Sequence, residues 1–415
     1  MTFVWDSASV GRQIAGEKNE INGPIRTNHC ASARLPPELI LLILRYISYR
    51  QRPRLDLFTS VIFTSCFRPL DVAVRAAPLI CSSWHAPGTE ALYERITLYT
   101  EVQCVLLHRT LQDTPSLRRL IRFLSLPSPR EKSAVIPPSV PRISADILAL
   151  CTHVQEVDVL RENALIFNPS SVPYLRFLRV SNATTDPTIP SRPPSIRFPA
   201  LHELILNGYH FHVNGVAIDD VWPEFPQLKS LRLENCVFNV EDLTQILSRT
   251  TTKLQSLALF SVRYPFSNNE LPSVLADSLE ELWIENCWPL SFASYFTSYS
   301  GLRSLHLDWH LFANMVPFLP PALLCISVTV PAYVASSAPD YDRFEAGLER
   351  ISRDLPTLEV IRVLGKRGCP LLNDEAELRK KLGLHNVRLE VELVHRGEAC
   401  RRLSFSTEWH ELLYI

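Results

Sequence analysis

Cys81 and His85 stand four residues apart, the spacing that puts two side chains on one face of a helix. A thiol beside an imidazole makes a thiolate nucleophile when a third group orients the ring and donors receive the oxyanion. The sequence offers neither, so Cys81 reads as a buried cysteine beside a turn. His210 and His212 alternate, so on a strand they would point the same way, but without a nearby carboxylate or cysteine they read as loop histidines rather than metal ligands. Asp219-Asp220 and Glu280-Glu281 are adjacent pairs, which do not face each other on a regular element, so no acid–base pair emerges. The ten cysteines never come within ten residues of one another, which excludes CxxC zinc and redox spacing. There are 12 glycines in 415 residues, and neither GxGxxG nor GxxxxGK[ST] occurs. The sequence therefore predicts no catalytic residue, no metal and no cofactor.

What the sequence does carry is a repeat. An apolar residue, two others, an apolar residue, one other and an apolar residue recur from Val154-Val157-Val159 to Leu358-Ile361-Val363. Between these lie Leu175-Leu178-Val180, Leu201-Leu204-Leu206, Leu228-Leu231-Leu233 and Leu254-Leu257-Leu259, then Leu279-Leu282-Ile284, Leu302-Leu305-Leu307 and Leu323-Ile326-Val328. Successive steps are 21, 26, 27, 26, 25, 23, 21 and 35 residues, and all but the last fit the 20–29 residue period of leucine-rich repeats. Each L-x-L is a short strand with its leucines on one side. Helical patterns such as Val240–Leu247, with Asn239 as cap, lie between strands. One strand–helix unit cannot bury its apolar face alone, so neighbours must stack into a curved parallel sheet. Cys236 and Cys287 end the matching segments LRLENC and LWIENC, at the position where a small polar or thiol group lies under the turn. The long last step holds a helix with Phe344, Leu348, Ile351 and Leu355 on one face. Residues 373–383 then read as a helix and 387–394 as a strand.

Side chains between the leucines should point away from the core. Trp283, between Leu282 and Ile284, is thus expected as an exposed aromatic on the strand-lined face, where aromatics anchor partners. Its neighbours there would be Arg232, Glu234, Glu281, Glu285, His306 and Asp308.

Ahead of the repeats, Leu39, Leu42, Ile43, Tyr46 and Ile47 form an amphipathic stripe over 34–50. Pro36 and Pro37 suit its first turn, and Glu38 suits the positive end of its dipole. Pro53 and Pro69 bracket an apolar run in 51–70. Residues 71–85 resume with short helices interrupted at Pro78. Residues 91–99 follow, then a helix from about 101 to 111 capped by Thr100.

The pairing of 34–50 with 71–85 resembles an F-box, on Leu35, Pro36, Glu38, Leu39, Leu42, Ile43, Val74, Cys81 and Trp84. The segment ALYERITL after it, the low glycine and the irregular repeats look similar to those of fungal, mushroom-type F-box proteins. The stretch 51–70 departs from the family as a longer connection. The resemblance implies a non-catalytic substrate receptor of a Skp–cullin–F-box ubiquitin ligase. Leu35, Pro36, Glu38, Leu39, Leu42, Ile43, Val74 and Trp84 would bind the Skp adaptor, which joins the cullin–RING ligase, and the repeats would hold a target protein. The alternative is a leucine-rich-repeat interaction scaffold without a ligase.

The expected organisation is a tail over 1–33, an all-α module over 34–99 with an inserted loop at 51–70, a leucine-rich-repeat α/β solenoid over 100–364, and a cap over 365–415. At 415 residues the chain exceeds a single ordinary core of about 250–300 residues, which a solenoid resolves by growing in one dimension. Apolar residues make up 46% and charged residues 20%, a globular composition. A net charge of −1 argues against nucleic-acid binding through phosphates. The N-terminus lacks the apolar core of a signal peptide. The longest uncharged apolar stretch, 57–67, is short of the roughly 20 residues of a membrane helix. The sequence thus reads as an intracellular protein, cytoplasmic or nuclear, with reduced thiols.

Overall fold

A computed structural model describes residues 35–50, 76–126, 139–160, 172–181, 197–209, 224–238, 240–251, 253–262, 271–287, 296–330, 338–365 and 387–393. The expected tail 1–33, the stretch 51–70, the helix 373–383, and Val74, Asn239, His210 and His212 lie outside the described residues.

The repeat folds as the spacing requires. Twelve strands form one parallel sheet in strict sequence order. They are β1 (Arg95–Thr97), β2 (Phe123–Ser125), β3 (Glu156–Leu160), β4 (Phe177–Ser181), β5 (Glu203–Asn207), β6 (Ser230–Glu234), β7 (Ser256–Phe260), β8 (Glu281–Glu285), β9 (Ser304–Asp308), β10 (Cys325–Val330), β11 (Val360–Gly365) and β12 (Arg388–Leu393). This is a leucine-rich-repeat-type solenoid, in which each strand pairs only with its sequence neighbours. The nine motif copies are β3 to β11, and β12 is the alternating segment after them.

Two strands precede the first expected copy. They carry the same spacing, Tyr93-Ile96-Leu98 and Ile121-Leu124-Leu126. Leu98, Ile121, Leu124 and Leu126 are buried, with Tyr93 and Ile96 packed on the same core. The sheet therefore begins at Arg95, inside the segment expected to belong to the helical module.

In-register pairing turns the motif into ladders. Leu204, Leu231, Leu257, Leu282 and Leu305 are consecutive partners across β5–β9, and each is at most 2% exposed. Burying one such leucine is worth about 1.5–3 kcal/mol, so the ladder dominates the stability of the stack. The helical layer supplies its own apolar stripes. Leu243, Ile246 and Leu247 project from Val240–Ser248, and Phe344, Leu348 and Ile351 from Ala338–Asp354.

The turn after each central strand repeats too. Gly208, Asn235, Ser261 and Asn286 follow β5, β6, β7 and β8 directly, and all have positive φ, from 52° to 74°. Glycine and asparagine tolerate this left-handed region best. The amides of Gly208, Asn235 and Ser261 each donate to the last carbonyl of the next strand, at 2.8 Å. The Cys236 thiol lies beneath this turn and donates to the carbonyls of Glu234 and Leu206, and Cys287 does the same to Glu285 and Leu259. Burial pushes both thiols up to about 12, so they are structural and inert.

The N-terminal helices sit at the β1 end. Helix α1 (Pro37–Arg50) packs on α2 (Ser82–Glu94), after a 3-10 turn over Ala77–Leu79. Pro87 lies inside α2 without ending it, and the expected 91–99 segment divides between the end of α2 and β1. Gly88 packs so closely on the turn that a Cβ would stand 2.7 Å from the Pro78 nitrogen. Arg45 bridges α1 to Glu90 (3.3 Å) and Glu94 (2.7 Å) of α2. Helix α2 runs straight into β1, and the Glu94 carbonyl accepts from the Arg122 amide at 3.0 Å. Helix α3 (Glu101–Asp113) starts as expected, with the Thr100 hydroxyl accepting from the Gln103 amide.

Candidate functional site

Two surfaces collect the residues singled out in the sequence. The first is on α1. Its run LILLIL, residues 39–44, is apolar all round, and only one side can face α2. Ile40 (0% exposed) and Leu44 (2%) form the module core with Ala77 and Ala91, and Leu35, Leu41 and Trp84 pack against it. Leu39, Leu42 and Ile43 are left 46%, 60% and 40% exposed. On the neighbouring turn Leu79 and Ile80 are exposed as well. Pro36 and Glu38 are exposed beside them. The structure thus divides the expected adaptor-binding set. Leu35 and Trp84 serve the module's interior, while Leu39, Leu42 and Ile43 face outward. Cys81 is the N-terminal cap residue of α2 rather than a helix partner of His85, and its Sγ lies 3.1 Å from the Ser83 hydroxyl.

The second surface is the open face of the sheet, opposite the leucine ladders. First, third and fifth residues of each strand point there. Arg232, Glu234, Glu281, Trp283, Glu285, His306 and Asp308 all do so, as the alternation requires.

The expectation of an exposed Trp283 is overturned. It is 5% exposed, stacked on His306 at a centroid distance of 3.7 Å and tilted against Phe260 at 5.3 Å. Its indole N–H donates to Glu285 at 3.2 Å. Cross-strand neighbours on a sheet stand only about 5 Å apart, so large side chains in the same row cover one another. His306 is buried for the same reason and bonds Thr329 through Nε2 at 2.8 Å. Burial lowers its pKa to about 3, which keeps the ring neutral. The Asp308 carboxylate accepts from the Asn286 amide, closing the turn after β8.

Arg232 and Glu234 are not free contacts either. The Glu234 carboxylate is gripped by Arg179 at 2.7 Å and Arg232 at 2.6 Å, all three largely buried. The Arg232 guanidinium lies over the Phe260 ring at 4.3 Å. Two more acids crowd this network. Burial raises the pKa of the Asp158 carboxyl; Arg179 and the Ser125 hydroxyl ease this rise and the Glu234 carboxylate adds to it. Burial pushes Glu203 up to about 7; Arg232 eases this rise and the Glu156 carboxylate adds to it. Asp158, Arg179, Glu203 and Phe260 were not singled out in the sequence. The signal that finds them is the register that aligns β3, β4, β5 and β7 with β6.

Among the described residues no group of three or more His, Cys, Asp or Glu side chains could hold a metal ion. None of the described helices is long and apolar enough to cross a membrane.

No protein-family model matches the chain, and no curated protein is similar to it. Among solved structures, the leucine-rich repeat-containing protein LegL7 from Legionella pneumophila is similar over 76% of this chain and 98% of its own, at 13% identity and a TM-score of 0.39. The architecture rests on the strand order and register above, not on that likeness.

Proposed function

We propose that the chain is a non-catalytic protein-binding receptor: α1 docks the Skp adaptor of a cullin–RING ubiquitin ligase, and the open face of the solenoid holds the target. The observation that carries the adaptor reading is the outward apolar face of α1. Leu39, Leu42 and Ile43 are left exposed along one side of α1, and Leu79 and Ile80 are exposed on the 3-10 turn whose Ala77 packs in the same module core. Such a surface marks an interaction site, and a helix face of this kind suits a partner's groove. The direct passage from α2 into β1 supports the second half of the reading. A receptor acts by proximity, raising the effective concentration of target lysines near the ligase, and a linker-free junction holds target and adaptor in one geometry. The receptor itself supplies no reacting group in this reading.

The test is Leu39→Asp with Ile43→Asp in the full chain. Each places a charge at a solvent-exposed site, so the melting temperature should stay within a few degrees of the parent. Adaptor binding should fall by more than about a hundredfold, since a charge buried at an interface without a partner is strongly unfavourable. Unchanged adaptor affinity in a folded double variant would sink the assignment. The coarser reading, a protein-binding solenoid, would then stand alone.

A further inference from the structure

All twelve strands run parallel, so the chain enters each of them from the same rim of the solenoid. One backbone ladder is continuous along that rim. The Arg122 carbonyl accepts from the Gln155 and Glu156 amides, and those of Gln155, Arg176, His202 and Lys229 each accept from two amides of the next repeat in the same way, at 2.8–3.0 Å. The ladder fixes Arg122, Gln155, Arg176, His202, Lys229 and Gln255 in a row, one per strand, at intervals of about 4.8 Å.

This rim is strongly basic. The segments that lead into β2–β7 (115–122, 151–155, 172–176, 197–202, 224–229 and 249–255) hold eight lysines and arginines and one acid. That acid, Glu224, is taken by Arg197 at 3.6 Å. Ahead of β8 the sign turns, with Asp277 and Glu280. The whole chain stands at −1, so the excess is local. Arg119, Arg176, Lys229 and Lys253 are exposed, and among the described residues no acid or side-chain hydrogen bond engages them. Elsewhere the arginines are spent on acids: Arg45 on Glu90 and Glu94, Arg95 on Glu156, Arg179 and Arg232 on Glu234, Arg362 on Glu390. The ladder thus holds unpaired like charges side by side at exposed positions, where packing does not call for them. Such a row concentrates anions along the rim and speeds encounter with an acidic partner.

We infer that the rim from β2 to β7 is the docking edge for an acidic segment of a bound protein, with Arg119, Arg176, Lys229 and Lys253 as its contacts. A nucleic acid suits the rim less well. It carries phosphates at close, regular spacing, and it would cross the Glu156 and Glu203 carboxylates, which border the rim on the open face. A protein segment can meet the bases with acids and pass those carboxylates with neutral residues. Exposed ion pairs are individually weak, so the rim orients and steers its partner, and the neighbouring open face supplies the rest of the contact. The inference rests on the solenoid being the target-holding surface, and it is independent of the adaptor.

The experiment titrates the full chain into a fluorescein-labelled dodecapeptide of alternating Glu and Ser, followed by anisotropy, beside the Gln-Ser peptide and an oligothymidylate of equal charge. The Glu-Ser peptide should bind saturably at about 0.02 M salt and more weakly at about 0.15 M, where screening shortens the reach of the rim. The Gln-Ser peptide should not bind. Arg176→Glu and Lys229→Glu should each weaken binding about five- to tenfold, since each replaces an attraction by a repulsion. Arg303→Glu, in the same row but beyond Glu280, should change it less than about twofold. All three positions are exposed, and unchanged melting temperatures show that the variants fold. Absence of binding, an equal loss in Arg303→Glu, or an oligothymidylate that binds more tightly than the peptide would overturn the inference. Adaptor binding, measured in the same preparations, reports separately on the ligase reading.

Discussion

Helix α1 and the centre of the open face treat their apolar groups in opposite ways. On α1 the side chains Leu39, Leu42 and Ile43 are left in water, while Ile40 and Leu44 are the fully buried side chains it gives to the module core. On β7–β9 the aromatic side chains cover each other: Trp283 lies between Phe260 and His306, and its indole N–H is spent on Glu285. An uncovered apolar face gains most from one partner that stays bound, because its burial is non-directional. A face whose side chains are already fixed by one another is preorganised and loses little freedom on binding, so it selects by charge and shape. This contrast fits a protein with one constant partner and one selected partner.

The largest effect that should break the contrast is on α1 itself. Ile40→Ala removes a fully buried side chain and should cost the module about 2–5 kcal/mol. Leu42→Ala, two residues on, should stay within about 0.5 kcal/mol because its side chain faces water. Urea unfolding followed by circular dichroism measures both. Equal losses would mean that the two sides of α1 are equally buried.

An intermediate effect is expected from pH. The neutral His306 ring is protonated in the unfolded chain below its ordinary pKa of 6.5 but in the fold only near 3. Its contribution is therefore intact above pH 6.5 and lost progressively as pH falls toward 3. Glu203 has the opposite sign. Its folded pKa of about 7 lies above the ordinary 4.5, so its contribution is full below pH 4.5 and lost as pH rises through 7. The melting temperature of His306→Gln should fall less steeply than the parent's between pH 6.5 and 4. That of Glu203→Gln should gain on the parent between pH 5 and 8. Parallel curves for parent and variants would show that neither group is perturbed by the fold.

The smallest effect belongs to the turns. Asn235→Ala and Asn286→Ala should each cost about 1 kcal/mol, because alanine resists positive φ. The glycine variants should cost less. Thermal unfolding checks the order. An alanine variant as stable as its glycine counterpart would contradict the left-handed turn.

The solenoid was legible in the sequence because its driving force is periodic. Nine apolar triplets became nine adjacent strands, and the twin Asn-Cys endings became a left-handed turn above a buried thiol. Two strands escaped although Tyr93-Ile96-Leu98 and Ile121-Leu124-Leu126 carry the spacing, because their strands are only three residues long and follow segments that read as helices. The sidedness of α1 was not legible. Every position from Ile40 to Leu44 is apolar, so periodicity could not say which residues meet α2. That depends on where Ala77 and Ala91 come to lie. The fate of Trp283 was equally hidden, since alternation gives the face a side chain points to but not whether Phe260 and His306 cover it there. The charged network around Glu234 joins residues from strands far apart in sequence, such as Arg179 and Arg232, and only register brings them together.

The central claim is that the outward face of α1 is the seat of a constant partner, and native mass spectrometry of the full chain co-purified with the Skp adaptor tests it most directly. The account predicts a one-to-one complex that is lost in the Leu39→Asp, Ile43→Asp variant. A monodisperse, folded chain that ignores the adaptor would contradict it.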